Sequence, residues 1–278
     1  MSSDIMPMTE PRPRRQRSQG SGAADAALLF DEPGPRGRIL IAIGSVVAVI
    51  GIAALAAAVL YRLDLAGQLD YPKWRYFLGQ SVVSQLLEAA GTTLTLGGVA
   101  AVLTFPLGIA LGWLRLLDNR PIKWLVGLWI DAMRAVPMLL LVYFFLLVVP
   151  RFATISDFWK LALPIVMCTS ATTAEVFRSG VRALDRGQTE AAWALGMSPS
   201  LTMRLILAPQ ALRLMLPTLI TQMVTIIKGT TLAYVLAYPE LMYRGSTMIG
   251  QAKIDAHLSV FFQTYVIIAV LYIIVNWS

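Results

Sequence analysis

Along this chain, uncharged runs of about twenty residues alternate with short polar passages. Residues 39–61 carry no charge between Arg38 and Arg62, and residues 89–114 form a second such run. The third, 124–150, is interrupted in its first half by Asp131 and Arg134, so its inserted part is expected to start near residue 130. Residues 161–177 form a short fourth run that ends in charges. Residues 213–238 form a fifth, broken by Lys228, and residues 258–277 a sixth. A helix needs about 20 apolar residues to cross ~30 Å of hydrocarbon, whereas barrel strands are shorter and alternate. The pattern predicts an all-α integral membrane protein, a polytopic helical bundle of six transmembrane helices. The second run also carries Gly97, Gly98, Pro106, Gly108 and Gly112, small residues that suit close helix packing in lipid.

Composition sharpens this picture. The chain is 57% hydrophobic and 14% charged. Residues 1–38 are rich in Arg, Pro, Ser and Gly, which predicts a disordered tail. The helix at 39–61 is too long for a signal-peptide core and is followed by no small-residue cleavage pattern, so it reads as retained. The net charge of +7 does not point to nucleic acid, because the basic residues sit in the tail and in short loops. With the N-terminus inside, fourteen Lys and Arg face the cytoplasm and seven face outward, which supports an N-in, C-in orientation. The lone cysteine, Cys168, excludes an internal disulfide and reads as a small buried hydrophobe. With one histidine, His257, and no C-x-x-C pair, no metal site is expected.

The passage at about 183–209 interrupts the apolar pattern on the cytoplasmic side. Glu190-Ala191-Ala192-Trp193-Ala194-Leu195 suits a helical turn that Gly196 caps. Ser198 reads as an N-cap with Pro199 at the first helical position. A second short helix is expected to run to about Ile206, with Pro209 opposing its continuation. Leu195, Met197, Leu201, Met203 and Leu205 are apolar residues that no soluble core would cover there, so the loop should be an interface.

The same stretch resembles the EAA loop of ABC-importer permeases: Glu190-Ala191-Ala192, three residues, Gly196, nine residues, then Ile206 and Pro209, with Ala208 where Leu is usual. Further segments are similar to the polar amino-acid subfamily: Gly91-Thr92-Thr93-Leu94, Arg134-Ala135-Val136-Pro137, Thr173 to Gly180, Arg186-Gly187-Gln188 and Pro209-Gln210-Ala211-Leu212. Lys228-Gly229-Thr230-Thr231 is similar to K-D-[ST]-[SA], with Gly229 replacing the usual Asp. The resemblance covers residues 86–278. The extra helix and long tail are most like the glutamate permeases of actinobacteria.

The resemblance implies one N-terminal helix plus a five-helix importer core in a bacterial plasma membrane. It implies that Glu190, Ala191, Ala192, Gly196, Ser198, Pro199, Ile206 and Pro209 couple the chain to a dimer of cytoplasmic ABC ATPases. ATP and Mg would belong to that partner, and this chain, which contains no G-x-x-x-x-G-K-[ST] loop, would hold no cofactor and not be an enzyme. A second permease subunit (a homologous but different chain), an extracellular binding protein and an amino-acid substrate such as glutamate, glutamine or aspartate complete the implied assembly. Lys228, Thr230, Thr231, Arg134 and Glu175 are candidates for the substrate pathway. A Lys in mid-membrane costs roughly 2.5–3.5 kcal/mol on insertion scales, so Lys228 should face water, an anionic ligand, Glu175 or a partner subunit. Arg134 and Glu175 suit capping or gating pairs near the cytoplasmic ends of their helices. An ATP-independent secondary transporter or channel is the alternative, though no inverted repeat stands out. A membrane-embedded enzyme would need a metal constellation or nucleophile turn that is not found.

Overall fold

The computed structural model describes residues 34–277. The tail expected to be disordered falls outside them as far as residue 33. Its last residues, however, already belong to the first helix, α1 (Pro35–Leu65). Pro35 stands at the first helical position, where its missing N–H costs nothing. Residues 67–277 form a separate unit that begins with a short helix, α2 (Tyr71–Arg75). It continues with α3 (Gln80–Leu114), α4 (Arg120–Ala135), α5 (Met138–Leu147) and α6 (Asp157–Arg182). Next come α7 (Arg186–Ala194), α8 (Pro199–Thr202), α9 (Ala208–Gly229), α10 (Leu241–Asp255) and α11 (Phe261–Trp277).

Three helical stretches are long and apolar enough to cross a bilayer on those grounds alone: α1, α3 and the continuous run Pro199–Leu236. The third expected span is not one helix, because α4 and the segment Met138–Arg151 meet at 95°. The break lies at Val136-Pro137. Proline disfavours the helical conformation of the residue before it, and Val136 is extended at φ −78°, ψ 127°. Counted as one bent span, the pair makes a fourth crossing. The remaining expected spans, α6 and α11, fall short for different reasons. α11 is apolar but has 17 residues; α6 has 26 but is rich in Thr, Ser and charged residues.

That polar helix is the centre of the unit. α6 packs against α3, α4, α5 and α9, and Leu161, Ile165, Ala171, Ala174 and Phe177 are buried. Its hydroxyls are spent locally. Thr169 Oγ1 donates to Ile165 O (2.5 Å), Thr173 Oγ1 to Thr169 O (2.9 Å) and Ser170 Oγ to Met167 O (3.2 Å). Thr104 of α3 reaches Thr169 at 2.8 Å. A helix whose polar side chains are satisfied by its own turns and its neighbour can sit inside a membrane bundle without a strongly apolar sequence.

Two glycines of α3 permit the closest contact. A Cβ on Gly108 would stand 2.5 Å from Thr173 Cβ and 2.9 Å from Ser170 O; one on Gly112 would stand 2.6 Å from Ala174 O. Four residues apart, they share one face of α3. At the other end of the unit, α10 lies along the start of α3, where Phe77, Val82, Leu86, Met248, Ala252 and Val260 form a cluster. Gly245 of α10 admits Ile268 of α11, whose Cδ1 would collide with a Cβ placed there.

Gly112→Leu should therefore abolish assembly, because the contact atom is backbone and cannot move aside. Gly98→Leu, where nothing lies within 4 Å, should be accepted. Size-exclusion profiles of the two detergent-solubilised variants measure this, with a monodisperse peak expected only for Gly98→Leu.

Candidate functional site

The segment between α6 and α9 is built by caps. Asp185 Oδ1 accepts from Gly187 N (2.7 Å) and starts α7. At the far end Gly196 N donates to Trp193 O (2.9 Å) and Met197 N to Ala192 O (3.1 Å). This pair of bonds is the Schellman closure, which needs a left-handed residue, and Gly196 has φ 75°. Nothing lies within 4 Å of a Cβ added there, so the demand for glycine comes from the backbone angle alone. Ser198 Oγ then accepts from Leu201 N (3.3 Å) and Pro199 opens α8.

The expected stop at Pro209 does not occur. A π-helical turn, Met203–Leu207, carries α8 directly into α9, and Pro209 sits in the first turn of α9. The wider turn absorbs the missing N–H and the ring's clash with the turn before it. α8 is thereby rigidly continuous with a long, apolar helix. Gln210 of that helix donates to Gln188 of α7 (3.3 Å) and to Ile206 O (3.0 Å).

Of the apolar residues anticipated there, Leu195 is 83% exposed and Leu205 61%; Trp193, which was not anticipated, is 56% exposed. Leu201 is also exposed, while Met197 and Met203 are partly covered. Glu190, Ala191, Gly196, Ser198, Pro199 and Pro209 face solvent, Ile206 is partly covered and Ala192 is buried.

A charge cluster closes the same end of the bundle. Arg115, just past the end of α3, reaches Asp131 of α4 (3.2 Å) and Glu175 of α6 (2.9 Å). Arg178, one turn on, also pairs with Glu175. Both carboxylate oxygens of Glu175 are thus occupied, and the alternative pairing of Glu175 with Lys228 is not what forms. Arg134, on the last turn of α4, is exposed and makes no ion pair among the described residues. Arg115 was not singled out in the sequence; its position one residue beyond an uncharged run was the available signal.

Lys228 sits at the end of α9, exposed in the single chain and without an ion pair among the described residues. With Val224, Thr231, Tyr272 and Asn276 it lines a cavity of about 340 Å³. Thr231 Oγ1 donates to Lys228 O (2.7 Å). Thr230 is fully buried, donates to Ile227 O (2.7 Å) and is not among the residues lining this cavity. Here the α-helix tightens into a 3₁₀ segment, Thr230–Leu236. Gly229 has an ordinary helical φ of −60°, and a Cβ would meet Met138 Sδ at 3.5 Å, ordinary contact.

Below it lies a buried carboxylate that sequence reasoning passed over. Glu240 is 0% exposed and caps α10, accepting from Met242 N (2.9 Å), Tyr243 N (2.8 Å) and the Tyr272 hydroxyl of α11 (2.9 Å). Beside it Leu241 N donates to Thr93 Oγ1 of α3 (3.2 Å). Burial pushes the Glu240 carboxyl above the usual range, while its two backbone donors and the Tyr272 hydroxyl pull it back. Glutamate is not among the favoured N-cap residues, so neither its capping role nor its tyrosine, 32 residues away, was legible.

Residues 104–278 match the family of binding-protein-dependent transport system inner membrane components. The chain belongs to this family. It is 32% identical over 187 residues to the probable glutamine ABC transporter permease protein GlnP of Bacillus subtilis (strain 168), covering 67% of this chain and 84% of that protein. It is 32% identical over 217 residues to the glutamate transport system permease protein GluD of Corynebacterium glutamicum, covering 76% and 77%. Among solved structures it is similar to an amino acid ABC transporter, with TM-score 0.63 and 24% identity over 71% of this chain and 90% of that one. The inward-facing MetNI methionine ABC transporter shares the fold at TM-score 0.58 and 15% identity, over 72% and 93%.

The Glu240 cap carries its own prediction. Glu240→Ala should lose about 1 kcal/mol of capping and a further ~1–3 kcal/mol for the stranded Tyr272 hydroxyl. Glu240→Gln, which keeps one of the two accepting oxygens, should lose less. Thermal unfolding of the purified protein should rank wild type, Gln, Ala in descending midpoint.

Proposed function

We propose that this chain is the membrane-spanning subunit of an ATP-driven importer of polar amino acids, and that the elbow at 183–209 docks on a separate cytoplasmic ATPase. The observation that carries the reading is the elbow itself: two capped short helices presenting bare apolar side chains, joined without a break to a transmembrane helix. A push on α8 would pass through the π turn into α9 and so to the neighbourhood of Lys228. In this reading ATP and Mg are held by the ATPase pair, and each of two permease subunits supplies one elbow. The second permease is a homologous, different chain, and an extracellular binding protein delivers the substrate. The topology is N-in with six crossings, α6, α11 and the bent α4–α5 pair among them.

Glutamate is the favoured cargo, with glutamine and aspartate next. The names of the relatives support this class, and so does an unpaired Lys228 beside a cavity at the end of α9. A carboxylate is the natural counter-charge for a lysine with no partner of its own. Glu175, already held by Arg115 and Arg178, serves in this reading to lock α3, α4 and α6 together rather than to meet substrate. Arg134, with no ion pair, remains a pathway candidate together with Thr231.

Coupling is tested at Gly196. Gly196→Val forces a β-branched residue to a positive φ at a cost of about 1–2 kcal/mol with no steric crowding. It should leave membrane insertion intact and cut substrate-stimulated uptake roughly tenfold, and Glu190→Lys should act in the same direction. The assay is uptake into vesicles loaded with ATP and lacking any ion gradient. Uptake that instead requires an ion gradient and ignores ATP would establish a secondary transporter and remove the docking assignment.

Lys228→Met should weaken transport while leaving the amount of purified complex unchanged, because Lys228 has no structural ion pair to lose. Yield and uptake measured together decide this; a loss of yield would show that Lys228 instead meets a partner subunit.

A further inference from the structure

A groove of about 690 Å³ runs between α3 and α4, lined by Leu107, Leu111, Leu125, Trp129 and Met133 and by almost no polar atoms. It meets a second, polar cavity of about 380 Å³ at Leu128, which borders both. That cavity is lined by Arg115, Lys123, Asp131 and Arg178, with Trp124 at its edge. Arg115 and Arg178 are engaged by Asp131 and Glu175, but Lys123 is exposed and has no carboxylate within ion-pair distance among the described residues. The named groups therefore leave one positive charge in excess, close to the positive N-terminal end of α4. α4 itself is apolar on one face and polar on the other, and it carries Trp124 and Trp129, 70% and 41% exposed. The start of such a helix suits the interfacial plane, with tryptophan at headgroup level, before the bent pair turns into its crossing.

A purely apolar partner would leave the cationic cavity empty, and a soluble anion would leave the groove uncovered. One chemistry fills both. We propose that the α3–α4 groove and the adjoining Lys123 cavity form a binding site for an anionic phospholipid, its acyl chains along Leu107, Leu111 and Met133 and its phosphate against Lys123 and the outer edges of Arg115 and Arg178. On the topology proposed above the lipid belongs to the cytoplasmic leaflet; that assignment of leaflet rests on that reading, whereas binding does not. The site lies next to Arg115, so lipid occupancy would bear on the cluster that joins α3, α4 and α6.

The test is native mass spectrometry of the detergent-purified complex, incubated with phosphatidylglycerol or with phosphatidylcholine of the same acyl chains. Phosphatidylglycerol should be retained selectively. Lys123→Glu should lower its retention roughly fivefold or more, since each basic contact near an anionic surface contributes about 1 kcal/mol. Lys253→Glu, an exposed lysine on α10, should not change it. Ala132→Trp, which fills the apolar groove without altering charge, should also lower retention, whereas displacement by inorganic phosphate alone would show an adventitious ion site and overturn the proposal. So would equal retention of the two lipids, indifference to both groove variants, or an efficient cross-link from Leu128→Cys to a partner permease, which would make the groove a subunit interface. These readouts require no transport, so a failure of the importer assignment would leave them intact and separately interpretable.

Discussion

At Gly112 the backbone of α3 comes so near α6 that an added Cβ would sit 2.6 Å from Ala174 O, and Gly108 repeats the approach one turn earlier. In a bilayer the lipid is as apolar as the side chains, so helices are not driven together by hydrophobicity; close packing and interhelical hydrogen bonds hold them instead. Much of the bundle depends on this crossing. It brings Thr104 to Thr169, and it delivers Arg115, three residues beyond Gly112, to Glu175 and Asp131. Through Phe177 of α6 the same region packs on Ala208 and Met215 of α9, the helix that leads out of the exposed elbow.

Two populations of polar groups stand out in this unit. The first is satisfied inside the fold: the hydroxyls of α6 by their own preceding turns, Glu175 by two arginines, Glu240 by two backbone N–H groups and Tyr272. The second population makes no ion pair among the described residues, and Lys228, Lys123 and Arg134 are three of its members. Removing one member of a satisfied, part-buried set leaves its partners with unmet hydrogen bonds, so the first group holds the bundle together. The second group lies on surfaces open in the single chain, where a ligand or a neighbouring molecule can supply the missing charge.

The elbow was the most legible feature because its signals are local. Gly196 as a left-handed cap, Ser198 as an N-cap and Pro199 at the first helical position each depend on residues within one turn, and each stands in the structure as expected. The family match at 104–278 spans this stretch. Pro209 misled because its effect depends on the register of the preceding turn, and a π turn changes that register without an obvious mark in composition.

The sequence by itself determined that the chain is helical and membrane-embedded, where its apolar runs lie, and where its two-helix elbow bends, because hydrophobic run length and capping are one-dimensional properties. Tertiary structure alone decided that the least apolar long helix, α6, is the central one, since burial depends on neighbours and not on a residue's own character. It decided that the run at 124–150 folds as two helices at 95°, and that Glu175 pairs with Arg115 rather than Lys228. It also decided that Thr230 turns inward while Thr231 turns out, and that Glu240 finds Tyr272. Partners 32 or 60 residues apart meet only when two helices cross, and the crossing is set by where a glycine lets one backbone touch another.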